Sequence, residues 1–293
     1  MPDFTDPEQG RLLRLGLSLV GLVAFRILEM RHGRSSGPKS AHDRHAVRNL
    51  ALAVCSFLLV ILPCSSLILA AAEFSQTASF GLLQSAPAAW QLLLCLLFLD
   101  LWTWSWHWLC HQIPVLWRFH QVHHGDPAMD VTTAYRFHPG EILLSTLLRI
   151  PLIILLAVPL PALLMYESIL LASSQFQHSS LRCGRWERLL SLLLVTPGLH
   201  RVHHARNPAR TNSNFASVLS VWDRLFGTWR PAEPQLSSGL PQLDHATHQT
   251  LPGLLLTPFV VGPTAANGDA DGTATENATG TNATSTVQSP TGS

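Results

Sequence analysis

Two runs of histidine, one on each side of a long apolar stretch, restrict what this chain can fold into more than any other feature. The first reads His107-Trp-Leu-Cys-His111, then His120-Gln-Val-His123-His124, with His138 following in Arg-Phe-His-Pro. The second has His178 in Gln-Phe-Gln-His and then His200-Arg-Val-His203-His204. Residues three and four apart on a helix share a face, so each run presents its imidazoles together. Burying ten such rings without partners is costly, and imidazole is a common ligand for iron, zinc, copper and nickel. The pattern therefore predicts a polyhistidine metal centre, and a fold that brings both runs to one place.

The intervening sequence says how. Residues 142–174 are almost continuously apolar, too long for one upright membrane helix, with Pro159-Leu-Pro161 near the middle. A hairpin of two short helices is expected, because an even number of crossings returns the second run to the side of the first. Upstream, apolar runs over about residues 12–30, 49–72 and 82–104 are each long enough to cross a bilayer. Pro63 is expected to kink the second. Trp102, Trp104, Trp106 and Trp108 cluster where the third ends, as tryptophan does at a membrane interface. The expected fold is all-α: a polytopic membrane bundle with a helical cap that carries the histidines. Three parts are expected: residues 1–80 with the first spans and a basic loop, residues 81–230 with the catalytic domain, and residues 231–293 as a C-terminal segment.

Charge orients the chain. The loop 31–48 is rich in arginine and lysine and the turn 73–81 has neither, which places the loop on the cytoplasmic side. Counting spans puts residues 106–141 and 177–230 on that side too, and between them they carry Arg118, Arg136, Arg182, Arg185, Arg188, Arg201, Arg206 and Arg210. His32, His42 and His45 lack ligand spacing and are expected to be solvated loop residues. The start of the chain has neither the positive n-region nor the cleavage site of a signal peptide. From about residue 262 the chain is Gly, Thr, Ala, Asn and Ser and is expected to be disordered. Its sequons at Asn277 and Asn282 would go unused on a cytoplasmic face.

The five cysteines (Cys55, Cys64, Cys95, Cys110 and Cys183) show no CxxC pairing and are expected to be small buried hydrophobes. Cys110 lies between two box histidines but is expected to face away from them. No basic stripe interleaved with aromatics suggests a nucleic-acid partner.

Structural zinc takes four ligands and prefers cysteine or mixed sites, so two zinc ions would use eight histidines and leave no open position. Two octahedral irons with five histidines each would keep one open position apiece, where dioxygen could bind. A histidine-only shell brings no negative charge, so carboxylates must orient the rings through their other nitrogen. Asp100, Asp126, Asp130, Glu141 and Asp223 are the candidates.

The flanking words narrow the chemistry. Leu116-Trp-Arg-Phe-His-Gln-Val-His-His124, Met129-Asp-Val-Thr-Thr-Ala-Tyr-Arg-Phe-His-Pro-Gly-Glu141, Thr196-Pro-Gly-Leu-His-Arg-Val-His-His204 and Trp222-Asp-Arg-Leu-Phe-Gly-Thr228 together resemble the fatty acid hydroxylase/sterol desaturase superfamily, over about residues 95–230. The resemblance implies an integral-membrane enzyme with two non-haem irons that uses dioxygen and external electrons to oxidise a lipid C–H bond. Hydroxylation is the expected outcome, with a lipid desaturase or carotenoid-type oxygenase using the same centre as the alternative and a metal-binding or transport membrane protein as the non-enzyme alternative; zinc could substitute for iron. The implied ligands are His107, His111, His120, His123, His124, His138, His178, His200, His203 and His204. Asn214 fits the family's Asn-Tyr-Gly position, although the words here are Asn214-Phe-Ala216. The implied partners are a membrane lipid substrate and a separate reductase or electron carrier, since the chain shows no flavin or cytochrome module.

Overall fold

A computed structural model describes residues 7–33, 39–78, 81–234 and 236–262. The glycine- and threonine-rich tail and its two sequons lie outside the described residues. The chain is an all-α membrane bundle with a cap of short helices at one end. In chain order the helices are α1 (Pro7–His32), α2 (Lys39–Ser56), α3 (Leu62–Thr77), α4 (Ala88–Gln112), α5 (Pro114–His124), α6 (Pro139–Leu156) and α7 (Leu160–His178). The cap continues with α8 (Glu187–Leu190), α9 (Pro197–His203), α10 (Pro208–Thr211) and α11 (Val221–Leu225), and α12 (Leu251–Val260) follows. Two isolated bridges, Leu194 to Leu219 and Ala205 to Ser238, are the β pairings among the described residues.

Three helical stretches are long and apolar enough to cross a membrane: Arg44–Thr77, Ala88–Gln112 and Pro139–Leu156. The first joins α2 to α3 through a π-helical turn at Phe57–Ile61, just ahead of Pro63. Proline cannot supply the usual backbone donor and its ring crowds the preceding turn; a widened turn absorbs both effects. The helix thus continues past Pro63 with a π-helical turn in place of a regular one.

The apolar runs expected at 12–30 and in the second arm of the hairpin are not among those three. α1 bears Arg14, Arg26 and Glu29, and α7 bears Glu167. These charges are paired across helices: Glu167 accepts from both Arg14 and Arg149, and Arg26 reaches Asp130 at 2.9 Å. The hairpin itself turns at Ala157, whose φ of 51° is left-handed and whose N–H caps the end of α6. The third run differs at its boundaries. Residues 81–86 form turns, and Pro87 opens a helix that reaches Gln112, so the first histidine pair rides on the membrane helix itself.

Helices α3, α4, α6 and α7 share one core, in which Ile68, Leu99, Ile153, Leu163 and Tyr166 are buried together. A second core in the cap joins Trp104 to Val195, Leu199, Phe215 and Ala216. Trp104 belongs to α4, so the cap is seated directly on the end of that helix.

Candidate metal centre

Nine of the ten histidines converge at this seat. Ring nitrogens of His107, His111, His120, His124 and His203 lie within 4.8 Å of one another, and so do those of His123, His178, His200 and His204. All nine side chains are buried. The two groups abut, with the His124 and His204 rings stacked at 4.4 Å between centroids. Their membership follows a rule. The motif on α5 gives His120 and His124 to the five-ring group and His123 to the other; the motif on α9 gives His200 and His204 to the four-ring group and His203 to the other. Residues i and i+4 point nearly the same way on a helix, and i+3 diverges from i+4 by about 100°. Each His-x-x-His-His motif therefore serves both groups, and α5 and α9 cross-brace them.

The rings are oriented from behind. Nδ1 of His107 donates to the Phe215 carbonyl at 2.7 Å, Nδ1 of His203 to Ser213 at 2.7 Å, and Nδ1 of His178 to Ser174 at 2.7 Å. Nδ1 of His120 donates to Glu141 at 2.8 Å. Each of these bonds fixes the proton on Nδ1 and leaves Nε2 as a lone pair. The Nε2 atoms of His107, His120, His203 and His204 are buried with no hydrogen-bond partner among the described residues. Leaving a buried acceptor unsatisfied costs about 1–3 kcal/mol, so the arrangement suits something that accepts lone pairs. Spacing agrees. Two imidazole nitrogens about 2.1 Å from one ion and at a right angle lie about 3.0 Å apart, and the Nε2 pairs His178–His200, His178–His123 and His111–His124 are 3.0, 3.1 and 3.1 Å apart. Burial, and then the neighbouring imidazoles, push His123, His124, His200, His203 and His204 well below the usual histidine range. The rings are thus neutral ligands at ordinary pH. Two ions, one per group, fit this donor set.

The comparisons with known proteins bear on the same stretch. The family model for fatty acid hydroxylases matches residues 92–228, which contain every histidine of both groups. The alkylglycerol monooxygenase of Danio rerio is 33% identical over 160 residues, 52% of this chain and 33% of that protein. The ornithine lipid hydroxylase OlsE of Rhizobium tropici is 34% identical over 152 residues, 50% of this chain and 44% of that protein. The human alkylglycerol monooxygenase is 30% identical over 132 residues, 45% of this chain and 29% of that protein. The matched stretch thus spans less than half of each relative. No solved structure matches the chain.

Within the matched stretch the remaining candidate residues take different places. His138 joins neither group. Its Nδ1 accepts from the Gly140 N–H at 2.9 Å, capping α6, and its Nε2 donates to the Leu255 carbonyl of α12 at 3.1 Å. Both ring nitrogens are occupied by the fold. Of the five carboxylates expected to orient rings, Glu141 does so directly. Asp223 works one step further out, on the backbone that receives His107, and Asp100 braces the loop that follows it. Asp223 accepts from the N–H groups of Phe215 and Ala216, from Trp104 Nε1 and from Thr228, and so fixes the carbonyl that holds His107. Burial pushes the Asp223 carboxyl above its usual range, and those donors oppose the shift. Asp100 accepts from the Leu219 N–H and Trp222 Nε1 in the same loop.

Asn214 stands at φ 54°, a left-handed conformation that asparagine tolerates better than most residues. Its side chain bonds the Leu199 and Arg230 carbonyls and the Arg230 N–H, tying α9 to this loop. The left-handed residue here is Asn214, so Ala216 in place of glycine meets no backbone demand.

Asp126 and Asp130 face the other way, toward α1 and α2. Asp126 bonds His45, Asn49 and Thr133, and Asp130 bonds Arg26 and Thr132. Burial would raise the Asp126 carboxyl, but the adjacent His45 ring and the Arg136 guanidinium hold it well below the usual range. His45 is accordingly not a solvated loop residue but a buried side chain of α2; its four-residue spacing from Asn49 was the available signal. Arg136, fully buried, was also missed. It donates to the Val122 and Gly125 carbonyls at the end of α5, beside His123 and His124, and to Asn49 and Gln249. A cation there suits the helix C-terminus. Cys110 does not face away from the site: it lies with His120 and Glu141, ligand atoms within 4.8 Å.

Proposed function

We propose that this chain is a dioxygen-dependent lipid hydroxylase, with one iron in each histidine group. The observation that carries the reading is the convergence of nine buried imidazoles whose ring nitrogens gather in two groups, four of them with an unpartnered Nε2. When bound, two such irons supply dioxygen activation, the chemistry that an unreactive C–H bond requires. The chain's own residues hold the rings, fix the protons of His107, His120, His178 and His203 on Nδ1 and keep water out. Phe215, Trp117 and Phe137 pack against the rings, with Phe137 stacked on His123 at 4.2 Å. The similar proteins named above are a monooxygenase of alkylglycerols and a hydroxylase of ornithine lipids, which supports a membrane lipid with a polar headgroup as substrate. Electrons come from a separate reductase or carrier on this reading.

The histidine face is assigned to the cytoplasm because Arg118, Arg182, Arg185, Arg188, Arg201, Arg206 and Arg210 lie in the cap while the turn at 73–81 has no basic residue. Anaerobic purification followed by metal analysis and lipid turnover tests the reading. About two irons per chain and incorporation of one oxygen atom from labelled dioxygen into a lipid alcohol are expected. Stoichiometric zinc, with no dioxygen use after iron is added, would overturn it.

A further inference from the structure

The cap does not merely rest above the membrane helices. The segment between α7 and α9 returns along α4 and meets α11 there: Val195 N–H donates to the Val218 carbonyl and Ser220 N–H to the Leu193 carbonyl, each at 3.0 Å. The contact lies at the membrane interface. Asp100, which accepts from the Leu219 N–H and from Trp222, stands about 3 Å along the α4 axis from Trp102. Trp102 begins the tryptophan cluster at 102–108 that marks the nearer membrane interface, and Trp90 lies toward the other end of the helix. The backbone at 219–222 therefore meets α4 at that interface, and the outer side chains of the segment are apolar and uncovered. Leu189, Leu192, Leu193, Leu225 and Phe226 are 49–67% exposed.

Charge completes the pattern. Arg182, Arg185 and Arg188 are exposed at the start of the segment, beside Trp186, and the Arg185 guanidinium sits 5.1 Å from that ring. An apolar surface bordered by tryptophan and arginine matches acyl chains below and anionic headgroups above. Backbone polar groups would be costly there if unpaired, and the bonds to α4 and between the two strands of this loop meet part of that demand.

The geometry points to a monotopic membrane wedge: residues 186–194 with 221–226 are immersed in one leaflet, the one nearer the metal centre, and bind acyl chains and anionic headgroups. The wedge holds the cap against the bilayer and sets the rings of α9 at a fixed depth. It rests on the membrane bundle and not on the chemistry proposed for the centre.

Spin labels on the full chain test it. Leu193→Cys and, separately, Leu189→Cys are placed in a background of Cys55→Ser, Cys64→Ser and Cys183→Ser, with Ala209→Cys on exposed α10 as the comparison. Both wedge positions are exposed, so neither substitution disturbs packing. In vesicles of phosphatidylcholine with a minority of phosphatidylglycerol, labels at 189 and 193 should be relaxed more by dissolved oxygen than by a water-soluble nickel chelate. The label at 209 should show the reverse. Greater access to nickel at both wedge positions overturns the proposal. So does dipolar broadening between labels at 193, which would mean that a second copy of the chain covers the patch.

Discussion

Glu141 accepts a 2.8 Å hydrogen bond from Nδ1 of His120, the one direct carboxylate contact to a ring of either histidine group among the described residues. The bond fixes the tautomer and raises the basicity of the nitrogen that faces the site. Loss of such a partner typically weakens metal affinity about 10–100-fold. Glu141→Ala should show a loss in that range by competition with a chelator, and Glu141→Gln, which keeps an acceptor oxygen, a smaller one. Equal affinity in all three proteins would remove Glu141 from the site's support.

Removing one ring from each group should act on both functions of the centre. His123→Ala takes a ligand from the four-ring group and His203→Ala one from the five-ring group. Each variant should lose lipid hydroxylation and bind roughly one fewer ion. Turnover at the normal rate with full metal content would sink the assignment.

His138 should behave differently. Its nitrogens hold Gly140 and Leu255, so His138→Ala is expected to leave the ion count unchanged while costing about 1–2 kcal/mol of stability through the lost cap and hydrogen bond. Thermal unfolding in detergent and metal analysis of the same sample separate these outcomes. A drop in bound metal with unchanged unfolding would make His138 a ligand.

Asn214 combines a left-handed backbone with three side-chain hydrogen bonds. Asn214→Gly keeps the backbone and loses the bonds, whereas Asn214→Ala loses the bonds and adds about 1 kcal/mol of strain. Stability measured by thermal or denaturant unfolding should fall in the order wild type, glycine, alanine. An alanine variant as stable as the glycine one would show that the conformation is not enforced.

Much of this architecture was legible in the sequence, because the periodicities that betray it are local. The spacing of His107 and His111 marks a helix face, and Pro159 and Pro161 mark the turn between α6 and α7. The sharing of rings between the groups was harder to see. His123 and His124 are neighbours in sequence but join different groups, and this depends on where α9 lies in space. The carboxylates show the same limit. Glu141 touches its ring three residues after His138, but Asp223 reaches His107 only through the backbone of Phe215, a relation that no spacing encodes. His45 was misjudged because a basic loop and the second turn of α2 have similar composition. Its contacts with Asp126 and Asn49 distinguish them.

The cross-bracing of α5 and α9 also constrains how the centre comes into being. Four rings of the five-ring group are translated by residue 124, but the fifth is His203, and the other group must take His123 from the early part of the chain and His178, His200 and His204 from the late part. Neither group can close until α6 and α7 have formed and turned back. Both groups are thereby completed only late in folding, and a chain stalled midway holds neither donor set whole.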